Sequence, residues 1–195
     1  MKNYVGIILK RYTTKSNKVA VLDKQLGRIE GIVTSDVGVG FLLWYTTQPS
    51  TNGFFLTNIQ IAHVPLLLAQ ENLLFLHHIF ELCYYFAPVG SCVMGVFDLL
   101  MFLYTTEQQW ESRLLKKIFL FKLLTTLGVY AESDYICKRC FYYLMATPID
   151  KLNSDFIDLD CKKALSRWLQ YCVVQYPVSK KFKTMHFLNE NRYDE

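Results

Sequence analysis

The feature that most constrains this chain is a change of hydrophobic period between His63 and Pro65. Before it, apolar residues fall in short alternating or β-rich runs: NYVGIILKRY, KVAVLD, GRIEGIVTS, GFLLWYT and GFFLTNIQI. Period two is the signature of strands whose faces differ in burial. The separators carry turn chemistry: Thr13 to Asn17, Lys24 to Gly27, Ser35 to Gly38, and Gln48 to Gly53 with Pro49 and Asn52. Five short antiparallel strands in about 60 residues fit a small closed barrel of the OB type, because closure removes exposed edges. A small SH3-like barrel is the structural alternative.

After Pro65, Leu73, Leu76, Phe80, Cys83 and Ala87 recur at three- and four-residue spacing on a segment apolar nearly all round, which predicts a buried helix. Pro88 to Ser91 breaks it, and Val93 to Tyr104 reads as a second apolar helix. A third runs from about Thr106 to Leu127, with Gly128 placed to stop it. A loop carrying Cys137 and Cys140 follows, then a helix from about Asp160 to Gln175 and a short last one around Lys180 to Asn189. Strands first and helices afterwards make an α+β chain in two parts: a five-stranded OB-fold barrel over 1–63 and an all-α domain over 64–195.

Apolar residues make up 52% of the chain and charged residues only 19%, which excludes a disordered polymer. The net charge of +4 conceals three blocks. Residues 1–28 carry +6, the 84 residues from Ile29 to Ser112 contain no Lys or Arg and carry −7, and 113–195 carry +5. Such asymmetry points to an anionic partner, while solvated surface is the ordinary explanation of any basic patch.

The start of the chain lacks the apolar core of a secretory signal. The apolar stretch Leu73 to Tyr104 is divided by Pro88, Gly90 and Ser91 and carries His77, His78, Glu81 and Asp98, so two buried helices fit better than a membrane span. Six Cys in 195 residues are too few for a disulfide scaffold, and the expected compartment is the reducing cytoplasm with no membrane contact.

The N-terminal cations Lys10, Arg11, Lys15, Lys18, Lys24 and Arg28 interleave with Tyr12 and polar turns. Barrels can bind single strands by joining a positive groove to aromatic platforms; the alternative is a rim of solvated lysines. Lys180, Lys181 and Lys183, with Lys162, Lys163 and Arg167, form a second cluster near two helix ends. Cys137 and Cys140 have the Cys-x-x-Cys bite of a zinc site, and Cys161 could supply a third thiolate. The fourth ligand would have to be Cys172, a His or water; otherwise these are buried reduced thiols. His77-His78 reads as core or helix-edge histidine, and Gly38-Val39-Gly40 lacks the third Gly of a phosphate loop. No nucleophile elbow, zincin or Walker sequence occurs, so the expectation is a protein that is not an enzyme.

Four passages, in order, resemble the bacterial recombination mediator family RecO. They are NYVGIILKRYTTKSNKVAVLDKQLGRIEGIV, then LLFLHHIFELCYYFAP with VFDLLMFLY, then KKIFLFKLLTTLGVYAESDYICKRC, then KKFKTMHFL. The resemblance implies a nucleic-acid-binding OB-fold at 1–63 and a RecO-like helical domain at 64–195. It implies DNA repair by recombination: binding DNA, annealing single strands and helping load recombinase onto coated strands, without catalysis. The implied partners are single-stranded and double-stranded DNA, a RecR-type mediator and the C-terminal tail of single-strand-binding protein. Lys10, Arg11, Lys15, Lys18, Lys24, Arg28, Lys180, Lys181 and Lys183 are the DNA-binding candidates.

Two departures matter. The basic Gly-rich loop common after the third strand is here TSDVGVGFLLWYTT, without a cation. The family's paired Cys-x-x-Cys zinc loop is degenerate over 134–164: Cys137 and Cys140 are intact, but Cys161 is followed by Ala164 where the last ligand belongs. Zinc is therefore a possible cofactor with an incomplete set, and a reduced RecO-like protein-interaction module with weak DNA binding is the alternative function.

Overall fold

The computed structural model describes residues 2–13, 17–51, 53–106, 110–130, 136–152 and 157–184. Five strands, β1 (Tyr4–Arg11), β2 (Lys18–Asp23), β3 (Gly27–Val33), β4 (Leu42–Ser50) and β5 (Gly53–His63), close in the order β1-β2-β3-β5-β4. Four pairings are antiparallel, but β3 runs parallel to β5, through Gly31 to Phe54, Ile32 to Phe55 and Val33 to Leu56. An all-antiparallel barrel was the expectation. Directions can alternate around a ring only when the strand number is even, so closing five strands forces a parallel neighbour pair.

Ile8, Val19, Val21, Ile29, Val33, Leu43, Tyr45 and Leu56 fill the barrel. Gly31 faces this interior, where the Leu56 side chain occupies the space that a Cβ would need. A buried carboxylate fixes the β2–β3 turn. Asp23 accepts from the backbone N–H groups of Gln25 and Leu26, each at 2.7 Å, and from the Tyr45 hydroxyl at 2.6 Å. Three donors satisfy a group that would otherwise be costly to bury. Gly27 closes the turn at φ +72°, where a Cβ would run into the Ser91 carbonyl oxygen.

Helix α1 (Leu66–Phe86) packs on β1 and β2. This explains why KVAVLD is buried along nearly its whole length: Val19 and Val21 point inward, and Ala20 and Leu22 lie under the helix. Phe75, Leu76, Ile79, Phe80, Leu82 and Cys83 form the buried part of α1, and His78 is buried among them, whereas Leu66, Leu67 and Leu73 are exposed. Helix α2 (Val96–Thr105) follows, its Tyr104 hydroxyl donating to the Gly40 carbonyl at 2.6 Å.

The secondary structure changes after His63 as the period indicates, yet the compact division of the chain falls between Thr106 and Glu107. Packing, rather than element type, sets that boundary: α1 and α2 bury their apolar faces within the barrel's own unit.

In the second unit, α3 (Arg113–Thr126) is capped by Ser112 and packs against α4 (Lys138–Ala146) and α5 (Leu159–Val174). Phe121 lies at its centre, with ring centroids 4.9 Å from Trp168 and 5.3 Å from Phe141. The segment after Cys137 is thus a helix and not a loop. Lys122, inward on α3, donates to the Met145 carbonyl at 3.0 Å and supplies the cation that the last turn of α4 lacks. Of the last expected helix, around Lys180 to Asn189, the described residues show only Lys180 and Lys181, which end a 3-10 turn, Pro177–Lys181; Phe182 to Thr184 are not helical, and positions 185–189 lie outside the described residues. Among the described residues, no helix is long and apolar enough to cross a membrane.

Candidate nucleic-acid interface

A β-bulge decides where Lys10 goes. Ile8 pairs with Val21 inside the barrel, and strict alternation would turn Lys10 to the same side. The register shifts between them, so that Lys10 pairs with Ala20, which pairs in turn with Glu30. The extra residue thereby places Lys10 in an outward row across β1, β2 and β3. The next outward row, nearer the β1–β2 turn, runs Lys18, Ile32, Phe55 and Gln48 across β2, β3, β5 and β4.

The last turn of α1 lays Tyr84 and Tyr85 beside these rows. The Lys10 ammonium sits 4.2 Å from the Tyr84 ring centroid, 5.2 Å from Tyr12 and 6.0 Å from Tyr85. Lys18 lies 4.8 Å from the Tyr12 ring and 3.4 Å from the Glu30 carboxylate. Tyr12 donates to Glu30 at 2.5 Å, and its oxygen is 3.2 Å from that of Tyr84. Burial first, then the bonds to Glu30 and Tyr84, pushes the Tyr12 hydroxyl well above its ordinary range, so it stays a donor.

The other N-terminal candidates divide by what holds them. Arg11 faces the barrel mouth and pairs with Asp36 at 2.5 Å. Arg28 donates from Nη1 to the Tyr84 carbonyl, and its guanidinium stands 5.1 Å from the Tyr84 ring. Helix α1 has no basic residue in its last turn, so Arg28 compensates the carbonyl end from β3. Lys24 is exposed in the β2–β3 turn, 6.0 Å from the Phe97 ring. Lys15 lies outside the described residues. Lys180, Lys181 and Lys183 are exposed around the 3-10 turn that follows α5 in the second unit.

Chemically, the outer face joins cations stationed over tyrosine rings to apolar surface left open, with Phe55 41% and Ile32 36% exposed. Strands 2 and 3, with the β1–β2 and β4–β5 turns, form the oligonucleotide face of OB barrels generally. Here Lys18 opens β2, and Gln48 and Phe55 lie where β4 ends and β5 begins. Tyr84, Tyr85 and Phe55 escaped the sequence reading; the signal was an adjacent Tyr pair at the end of an otherwise apolar helix.

The cysteine loop is a separate feature of the second unit. Cys137 caps α4, accepting from the Cys140 N–H at 3.4 Å, and Cys161 lies in the first turn of α5, where its N–H donates to the capping Asp158 at 2.7 Å. Cys140 is within interaction range of both Cys137 and Cys161, so the three cysteines are clustered. Burial foremost pushes Cys140 up to about 12, while the backbone N–H of Cys140 at the helix start pulls Cys137 down. This set does not fit zinc. Among the described residues no three His, Cys, Asp or Glu side chains are placed to hold a metal ion, and Ala164 offers no donor. Cys172, the other thiol considered, is buried and directed at the Val129 carbonyl.

The fold and this surface together define the class: an OB-fold-like five-stranded barrel with a cation-and-aromatic outer face, followed, among the described residues, by five α-helices. No family model matches the chain, and no curated protein matches it.

Proposed function

We propose that the chain binds nucleic acid on the outer face of its barrel, as a RecO-like mediator of recombinational DNA repair that acts without turnover. One observation carries this reading: Lys10 stands over Tyr84 and Tyr12, and Lys18 over Tyr12, on an outer face that continues from Lys18 on β2 through Ile32 on β3 to the open Phe55. Cations neutralise phosphates and rings stack bases, and neither contact needs a particular sequence. In this reading the ammonium of Lys10 leaves its ring contacts for a phosphate and frees the tyrosine faces. The protein anneals complementary strands and assists recombinase loading, with a RecR-type mediator as partner. The basic residues of the second unit, Lys162, Lys163, Arg167, Lys180, Lys181 and Lys183, receive the acidic tail of single-strand-binding protein.

Binding of a labelled oligonucleotide against salt tests the proposal: each phosphate neutralised contributes a slope of about −0.7. Phe55→Ala should weaken binding at constant slope, whereas Lys18→Gln should flatten the slope.

A second reading has its own observation. Arg11 and Arg28 are engaged by Asp36 and by the α1 carbonyl end, and the segment from Thr34 to Phe41 holds no cation. A barrel so depleted of available charge could serve as a protein-interaction module with weak DNA binding. Strand annealing separates the two, since only the mediator performs it.

A further inference from the structure

We propose that Cys137 and Cys140 form a reversible dithiol–disulfide site that reacts with small-molecule disulfides, Cys137 attacking and Cys140 resolving. Capping geometry brings the two together. An N-cap side chain reaches the N–H three residues on, so the Cys137 sulfur lies against Cys140 and is itself exposed. The first turn of a helix also favours a thiolate at its cap. Cys161, buried in the first turn of α5, lies next to the pair. Three thiols at two helix starts, in a loop that does not fit zinc, thus retain the parts of a redox pair.

The Cys137 thiolate attacks one sulfur of the external disulfide, forming a mixed disulfide and expelling one thiolate. That thiolate takes the Cys140 proton. The new Cys140 thiolate then attacks the Cys137 sulfur, closes the protein disulfide and expels the second external thiolate, which takes up from water the proton that Cys137 gave up on ionising. Two electrons pass from the cysteine pair to the external disulfide, which becomes two thiols.

The test is timed exposure of the full chain to oxidised glutathione, followed by alkylation and peptide mass spectrometry. Exposed Cys92, on a different unit, is the internal reference and needs no variant. The expected result is loss of free Cys137 at least about tenfold faster than of Cys92, with a Cys137–Cys140 disulfide as product. Cys140→Ser should instead accumulate a glutathione adduct on Cys137. Equal rates at Cys137 and Cys92, a Cys137–Cys161 disulfide in Cys140→Ser, or one equivalent of zinc in protein purified without added metal would each overturn the assignment.

Discussion

Arg28 separates structural charge from binding charge, and Arg28→Ala is the informative change. In the folded protein its Nη1 donates to the Tyr84 carbonyl, its plane stands 5.1 Å from the Tyr84 ring, and it supplies the cation missing from the end of α1. A hydrogen bond to a charged group contributes about 1.5–3 kcal/mol. The cation–π contact contributes about 0.5–1 kcal/mol and the helix-end charge about 0.3–1 kcal/mol, and the three overlap because one guanidinium makes them all. The expected loss is therefore about 2–3 kcal/mol, or a fall in Tm of roughly 5–10 °C for a chain of this size. Arg28→Lys keeps the charge without the planar fork and should recover part of it. Urea unfolding followed by circular dichroism measures the loss, and the same variant goes into the salt titration. Since Arg28 is already engaged, its removal should leave the salt slope of oligonucleotide binding unchanged. A variant within about 0.5 kcal/mol of the parent that also loses one phosphate contact from the slope would refute the reasoning.

Three further outcomes follow from the packing. Tyr45→Phe removes a donor from the buried Asp23 carboxylate and should cost about 1–3 kcal/mol in denaturant unfolding. Gly27→Ala should be more damaging than a surface Gly→Ala change, because it meets both a positive φ and the Ser91 backbone; a melting temperature equal to the parent's would contradict the turn geometry. Tyr45 and Tyr104 are held above their ordinary value of 10.0, both chiefly by burial, with the Asp23 charge and hydrogen bond adding to it at Tyr45. A raised folded value makes their contribution complete below pH 10 and diminishing above it, by about 1.4 kcal/mol per pH unit for each group. Unfolding free energies at pH 9 and pH 11, with tyrosinate absorbance, check the sign.

The barrel was legible because short β-rich runs are separated by turn residues, with clean alternation in β3, whereas β1 and β2 are apolar runs because α1 covers their outer side. The parallel β3–β5 pair was not, since it arises from closing an odd ring and from no local pattern. Lys10 was legible as a candidate, but its outward position depends on the bulge, which the apolar run GIILK does not mark. Tyr84 and Tyr85 are 72 or more residues beyond Tyr12, and only the docking of α1 makes them neighbours of it. Helix α4 was hidden because Phe141, Tyr142 and Tyr143 favour strands or loops locally, while its burial rests mainly on Leu144. The cysteines were found by spacing, yet spacing could not tell a metal set from a thiol cluster without the positions of α4 and α5.

The central claim is that the barrel's outer face binds nucleic acid through charge and stacking. Its most direct test is the affinity of the full chain for a labelled single strand over a range of salt concentrations. The account predicts binding at low salt with a log–log slope steeper than about −1.4, the neutralisation of two or more phosphates. A flat response, or no binding at low salt, would contradict it.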